Sequence, residues 1–131
     1  MPQNLNETYE FMLVRIREPH HQTYVKAALM WLSFCERPLT LAELSEAVVV
    51  EEGFSTIGAD DRLNPHALRN ICQGLIDHTG GKAHLSHSSV KTFLTSEWIL
   101  DSRVNFYALH EGSAHATITR LRMTYLMFKD F

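Results

Sequence analysis

Nothing in this chain accumulates positive charge. Twelve Lys and Arg stand against fifteen Asp and Glu, a net charge of -3, so no excess cation is available to neutralise a phosphate backbone and nucleic acid is not an expected partner. Cysteine is scarce as well. Cys35 and Cys72 are the only two; both fall within apolar helical patterns and neither has a second cysteine at metal spacing. That usage suits free, mostly buried thiols in a reducing cytosol better than a disulfide framework. No run approaches the ~20 apolar residues that cross a bilayer, and no basic-then-apolar signal opens the chain. The expectation is a cytoplasmic protein without a membrane partner. Two catalytic signatures are missing too. There is no G-x-S-x-G nucleophile elbow, and Gly81-Lys82 is followed by Ala83 and preceded by Ile76 where a P-loop needs its leading glycine, so the chain is not expected to be an enzyme. It contains no internal repeat or low-complexity segment.

What is present is enough apolar material, 45% of 131 residues, for one core and one domain spanning 1–131. Leu5, Tyr9, Met12, Leu13 and Ile16 recur at helical spacing, with Glu7 and Glu10 placed early where the helix dipole favours them. After Pro19, a second stripe of Val25, Ala28, Leu29, Leu32 and Cys35 runs through Trp31 and Phe34 and reads as the central helix. Arg37-Pro38 stops it. Thr40 with Glu43 three residues on is a capping-box signature, opening a third helix whose buried face is Leu41, Leu44, Ala47 and Val48. Glu51 to Asp61, with Gly53, Gly58, Glu51, Glu52, Asp60 and Asp61, has no periodicity and reads as an exposed loop.

Asn64 as cap and Pro65 at the first helical position start a fourth helix, with Leu68, Ile71, Cys72, Leu75 and Ile76 as its pattern. Gly80-Gly81 can take positive backbone angles in a tight turn, and 83–87 is short enough for a strand, which suggests a small hairpin. Ser88 or Ser89 is expected to cap a short helix carrying Val90, Phe93 and Leu94. The segment from Trp98 to Glu111 is mixed and irregular. Ser113 is then expected to cap a long last helix with Ala114, Ile118, Leu121, Tyr125, Leu126 and Phe128 inward and Arg120 and Lys129 outward. Three helices followed by a hairpin is the order of a winged helix. The expected fold is therefore mainly α, a winged helix with a small β-hairpin wing and flanking N- and C-terminal helices.

Three separated runs sharpen this: Leu5-Asn6-Glu7-Thr8-Tyr9, Arg37-Pro38-Leu39-Thr40-Leu41 and His87-Ser88-Ser89-Val90-Lys91-Thr92-Phe93-Leu94. With Ala114-His115-Ala116 and Tyr125-Leu126 closing the series, their order resembles the winged-helix segment that follows the NACHT module of fungal STAND (NLR-like) NTPases. The same segment is found in proteins labelled GPI inositol-deacylase-like. The resemblance runs from about Leu5 to Leu126. It implies a non-catalytic regulatory domain excised from a larger multidomain protein, which relays the nucleotide state of an upstream NACHT core to downstream ankyrin or other repeats by intramolecular docking. The domain alone would hold no cofactor; ADP or ATP would reach it through the NACHT module. Lipase chemistry does not follow from the label, because the nucleophile elbow is missing. The alternative is a stand-alone protein-interaction or DNA-binding winged helix.

By that resemblance, His87 is the candidate site residue, a histidine that contacts the β-phosphate of ADP in the full-length parent and holds the closed state. Its place where a wing strand gives way to a helix start suits an anion, since orphan N-H groups gather there. Ser88 follows it where plant and animal relatives carry an aspartate. The competing reading is an imidazole that caps local backbone or packs in the hinge. The other histidines, chiefly His20, His21, His84, His110 and His115, lack convincing ligand spacing, so no metal is expected. Arg37 reads as structural, a guanidinium placed to satisfy free carbonyls at a helix end. As a DNA reader the fourth helix offers little: His66, Arg69, Asn70 and Gln73 include one cation, and the acidic loop leads into it. Arg122 stands where the family pattern usually has a small apolar residue or cysteine.

Overall fold

Pro19 and three glycines at positive φ, Gly74, Gly80 and Gly81, set the frame on which the helices are hung. The structure, a computed structural model, describes residues 3–35, 37–48, 65–72 and 74–129, with backbone alone described at 3, 4, 65 and 121–129. The first helix, α1, is Gln3–Val14. Ile16 continues its apolar stripe beyond the helix end and is buried. Pro19 then occupies the first turn of α2, Pro19–Phe34, where its missing N-H and fixed φ cost nothing. Gln22 of that helix donates from its side chain to the Ile16 carbonyl at 2.9 Å, tying the two helices at their junction. Val25, Ala28, Leu29, Trp31 and Phe34 are buried along α2, which touches α3, α4, α6 and the sheet. It is the central helix, as its periodicity implies.

Leu39–Thr40 forms a two-residue strand, β1, that periodicity alone does not reveal, and Leu41–Ala47 follows as α3. The capping box is complete. Glu43 N-H donates to Thr40 Oγ1 at 3.0 Å, and Thr40 N-H donates to Glu43 Oε1 at 2.9 Å. That second bond, with Arg37 beside it, holds the Glu43 carboxyl below its usual range. A carboxylate depressed in the folded state stabilises the fold above its ordinary pKa and ceases to as pH falls through the folded value. Thr40→Ala is therefore expected to cost about 1 kcal/mol at neutral pH, and Glu43→Gln to remove part of the acid sensitivity below the ordinary value of 4.5. Urea titrations at neutral and acid pH check both. The expected loop at Glu51 to Asp61 and the Asn64 cap lie outside the described residues.

The fourth helix, α4, is Pro65–Ile71, shorter than the apolar pattern from Leu68 to Ile76 suggests. Gly74, at φ 87°, turns the chain out of the helix, and Leu75 and Ile76 are buried from a turn and a strand instead. Strands β2, Ile76–Thr79, and β3, Lys82–Leu85, pair antiparallel through Gly80 and Gly81, whose φ values of 59° and 81° suit a two-residue hairpin turn. β1 adds to the far edge of β3, with Leu39 opposite Ala83, giving the sheet order β1-β3-β2. Alternation holds along β3: Ala83 is buried, while Lys82 and His84 face out.

The order α2-β1-α3-α4-β2-β3 is a winged helix, with α1 before it and α5, Ser88–Leu94, and α6, Glu111–Lys129, after it. Between α5 and α6 the irregular segment contains two 3-10 turns, Trp98–Asp101 and Asn105–Tyr107. It is not a surface strap. Ile99, Val104, Tyr107 and Leu109 are buried, and Leu109 N-H donates to the Leu94 carbonyl at 2.9 Å. Arg103 fastens the segment to α1, its backbone N-H and its guanidinium reaching the two oxygens of Glu10 at 3.2 and 3.4 Å. The last helix starts earlier than Ser113: Ala114 N-H already donates to the His110 carbonyl at 2.8 Å. Among its described side chains Ala114 and Ile118 are buried and Arg120 is exposed. The side chains of Leu121, Arg122, Tyr125, Leu126, Phe128 and Lys129 lie outside the described ones.

Candidate functional site

β3 ends at Leu85, and Ser86 N-H still reaches back to the Leu75 carbonyl at 2.9 Å, so the chain enters α5 from a fixed strand. His87 is the N-cap of α5, in extended geometry with φ -156° and ψ 148°. Neither Ser88 nor Ser89 takes that role. The imidazole does, its Nδ1 accepting the Ser89 N-H at 3.1 Å. Local capping by the ring, one of the two readings of this histidine, is thus its observed contact.

Capping uses one face of the ring. His87 is exposed, and no hydrogen bond to Nε2 occurs among the described residues. Ser89 beneath it is buried, with its Oγ 2.8 Å from His87 Nδ1 and 2.6 Å from the hydroxyl of Tyr9 in α1. Tyr9 lies against the Phe93 ring of the same α5, with centroids 5.5 Å apart. The site is therefore a buried polar thread of Tyr9 and Ser89 leading to a surface imidazole, set in an aromatic cluster. Sequence reading selects His87 but not Tyr9 or Ser89 as its partners, since 80 positions separate those two.

The remaining histidines do not converge. Among the described residues no three His, Cys, Asp or Glu side chains could share a metal ion. His84 uses both ring nitrogens locally, bonding the Leu85 carbonyl at 2.9 Å and Thr79 Oγ1 at 3.0 Å. His115 sits edge-on to Phe34 at 5.5 Å and near Glu111 at 3.8 Å. Cys35 and Cys72 are both free. Burial pushes the Cys72 thiol up to about 12, which keeps it protonated and unsuited to attack. Arg37 makes a structural contact with a different partner from the one expected: its guanidinium meets Glu43 at 3.3 Å, beside the capping box.

The face a DNA-binding winged helix would use is weakly charged. His66, Arg69 and Asn70 of α4 are exposed, and Gln73 is outside the described residues. Arg69, the one cation of that set, reaches across to Asp77 of β2 at 3.0 Å. Asp77 is held below the usual carboxylate range, first by the backbone N-H of His78 and also by Arg69. A groove of about 340 Å³ lies elsewhere, lined in part by Ile16, Gln22, Arg103 and Phe106, and does not include the candidate site residue His87. Among the described residues no helix is long and apolar enough to cross a membrane.

Fold order, sheet order and hairpin wing define a winged-helix domain. Residues 9–109 match the family model described as GPI inositol-deacylase, winged helix domain. The chain belongs to that family. It is also 34% identical over 137 residues to the "Azaphilone pigments biosynthesis cluster protein L" of Monascus ruber; that alignment takes in 97% of this chain and 29% of the relative. This chain thus spans under a third of the length of the curated relative it matches. No solved structure matches it significantly.

Proposed function

We propose that this domain is the non-catalytic regulatory winged helix of a NACHT-type STAND NTPase, which transmits the nucleotide state of an upstream core to downstream repeats by changing how it docks. The observation that carries this reading is the state of His87. Its ring is anchored by Nδ1 at the head of α5 and exposed on its other side, the arrangement of a fixed donor offered to an anion. The family match supports the module, and the 29% share of the Monascus relative supports its being one part of a longer protein. A phosphate of ADP, held chiefly by the upstream core, would complete the contact. Such a switch requires two docked states within a few kcal/mol, biased by the ligand. The cytoplasm is the compartment this role implies.

His87→Ala in the full-length parent tests it. Losing one hydrogen bond to a charged group is worth about 1.5–3 kcal/mol, so ADP affinity is expected to fall about tenfold to a hundredfold and basal activation to rise. Unchanged ADP affinity and unchanged activation together would refute the sensor role. A stand-alone DNA-binding module is disfavoured by the Arg69–Asp77 pair and the net charge of -3. Tight, salt-sensitive binding in a low-salt gel shift would reverse that ranking.

A further inference from the structure

We infer that Tyr9 of α1 is a positioning residue for His87, acting through the Ser89 hydroxyl to reinforce, beside the Ser89 backbone N-H, the choice of which imidazole nitrogen carries the proton. The order of donors follows from one fact. A backbone N-H can only donate, so Ser89 N-H at 3.1 Å requires a lone pair on His87 Nδ1. Ser89 Oγ lies 2.8 Å from that same nitrogen, where two facing lone pairs would repel, so the Ser89 hydroxyl also donates to Nδ1. Its hydrogen is then committed. The 2.6 Å contact with Tyr9 leaves Ser89 Oγ as acceptor and Tyr9 O-H as donor.

The consequence lies at the other end of the ring. With the one lone pair of Nδ1 shared by these two donors, the neutral imidazole carries its hydrogen on Nε2, the nitrogen without a described partner. The opposite tautomer would set Nδ1-H against Ser89 N-H. Tyr9 is 7% exposed and Ser89 9%, so the thread is shielded from water that could substitute for either hydroxyl. Because Tyr9 belongs to α1, the seating of that helix sets how firmly His87 holds its Nε2-H form. Moving α1 frees the Ser89 hydroxyl to rotate and leaves the Ser89 N-H as the one donor holding Nδ1 unprotonated, so the tautomer is less firmly held. This rests on the reading above that His87 meets an acceptor such as a phosphate oxygen, and adds that the first helix controls it.

Imidazole 15N spectra of this chain test the thread without any ligand. At a pH where its ring is seen to be neutral in the same spectra, the wild type should show His87 with a single Nε2-H signature. Tyr9→Phe keeps the ring against Phe93 and removes only the hydroxyl; it should move the Nδ1 resonance of His87 toward a tautomer average. Ser89→Ala should do so further. Unchanged His87 resonances in Tyr9→Phe would overturn the proposal, whether or not Ser89→Ala shifts them. In the full-length protein, Tyr9→Phe should weaken ADP binding about threefold to tenfold, the worth of one ordinary hydrogen bond. If His87→Ala weakens ADP binding and Tyr9→Phe does not, the positioning role fails while the sensor stands. If His87→Ala has no effect but the Tyr9→Phe spectra change as described, the sensor fails while the thread stands.

Discussion

Phe93→Ala is expected to destabilise the domain by about 3–5 kcal/mol, the range for deleting a fully buried aromatic ring. Phe93 is fully buried and lies between Tyr9, with centroids 5.5 Å apart, and Trp98, at 5.7 Å. Removing it takes away the transfer energy of the ring, leaves a cavity, and breaks two tilted aromatic pairs that add about 0.5–1.5 kcal/mol each. The position joins three parts of the chain: α1, α5 and the 3-10 segment after it. With total stability for such a domain near 5–15 kcal/mol, the loss should be a large drop in urea midpoint. An unchanged slope would show that flank and winged helix unfold as one unit. A loss under about 1 kcal/mol would mean that α1 and α5 are not part of that unit, and Tyr9 could not then govern His87.

The elements that could be read from sequence are those whose signal is local. The stripe from Val25 through Phe34, the Thr40–Glu43 capping box and the Gly80-Gly81 turn each depend on residues within a few positions, and each is where its pattern puts it. Failures arise where a local pattern has two physical meanings. Leu68, Ile71, Cys72, Leu75 and Ile76 keep helical spacing, yet the last two are buried from a turn and a strand, because a core accepts an apolar side chain from any backbone that brings it there. Gly74 was the signal, and its positive φ is what divides the pattern. β1 is too short for a period to be defined.

The site was legible by one residue only. His87 stood out because a strand-to-helix junction is visible in the order of residues, and the capping alternative was visible with it. That a histidine ring, and not Ser88 or Ser89, caps the helix depends on Ser89 being drawn inward to Tyr9. A buried serine hydroxyl must find a partner, but which partner is decided by how α1 lies on α5, and no spacing encodes that. The partner of Arg37 was missed for a related reason. A guanidinium near a helix end has both carbonyls and a carboxylate in reach, and the charged acceptor makes the stronger bond.

Leu68→Ala should have the next largest effect, about 2–5 kcal/mol. α4 has 7 residues, too few for a helix to persist alone in water, so tertiary packing must hold it. Of its described side chains Leu68 alone is fully buried; His66, Arg69 and Asn70 point outward. α4 packs chiefly against α2 and α3, and Leu68 is the side chain it buries fully. The rival anchor is the Arg69–Asp77 ion pair, whose side chains are 44% and 49% exposed; pairs this wet are worth at most about 1 kcal/mol. The two are separated by comparing Leu68→Ala with Arg69→Ala in urea at low and high salt. The leucine variant should lose several times more stability than the arginine variant, with little salt dependence. The reverse order would mean that α4 is held to the wing by charge, and that a partner competing for Arg69 could release it.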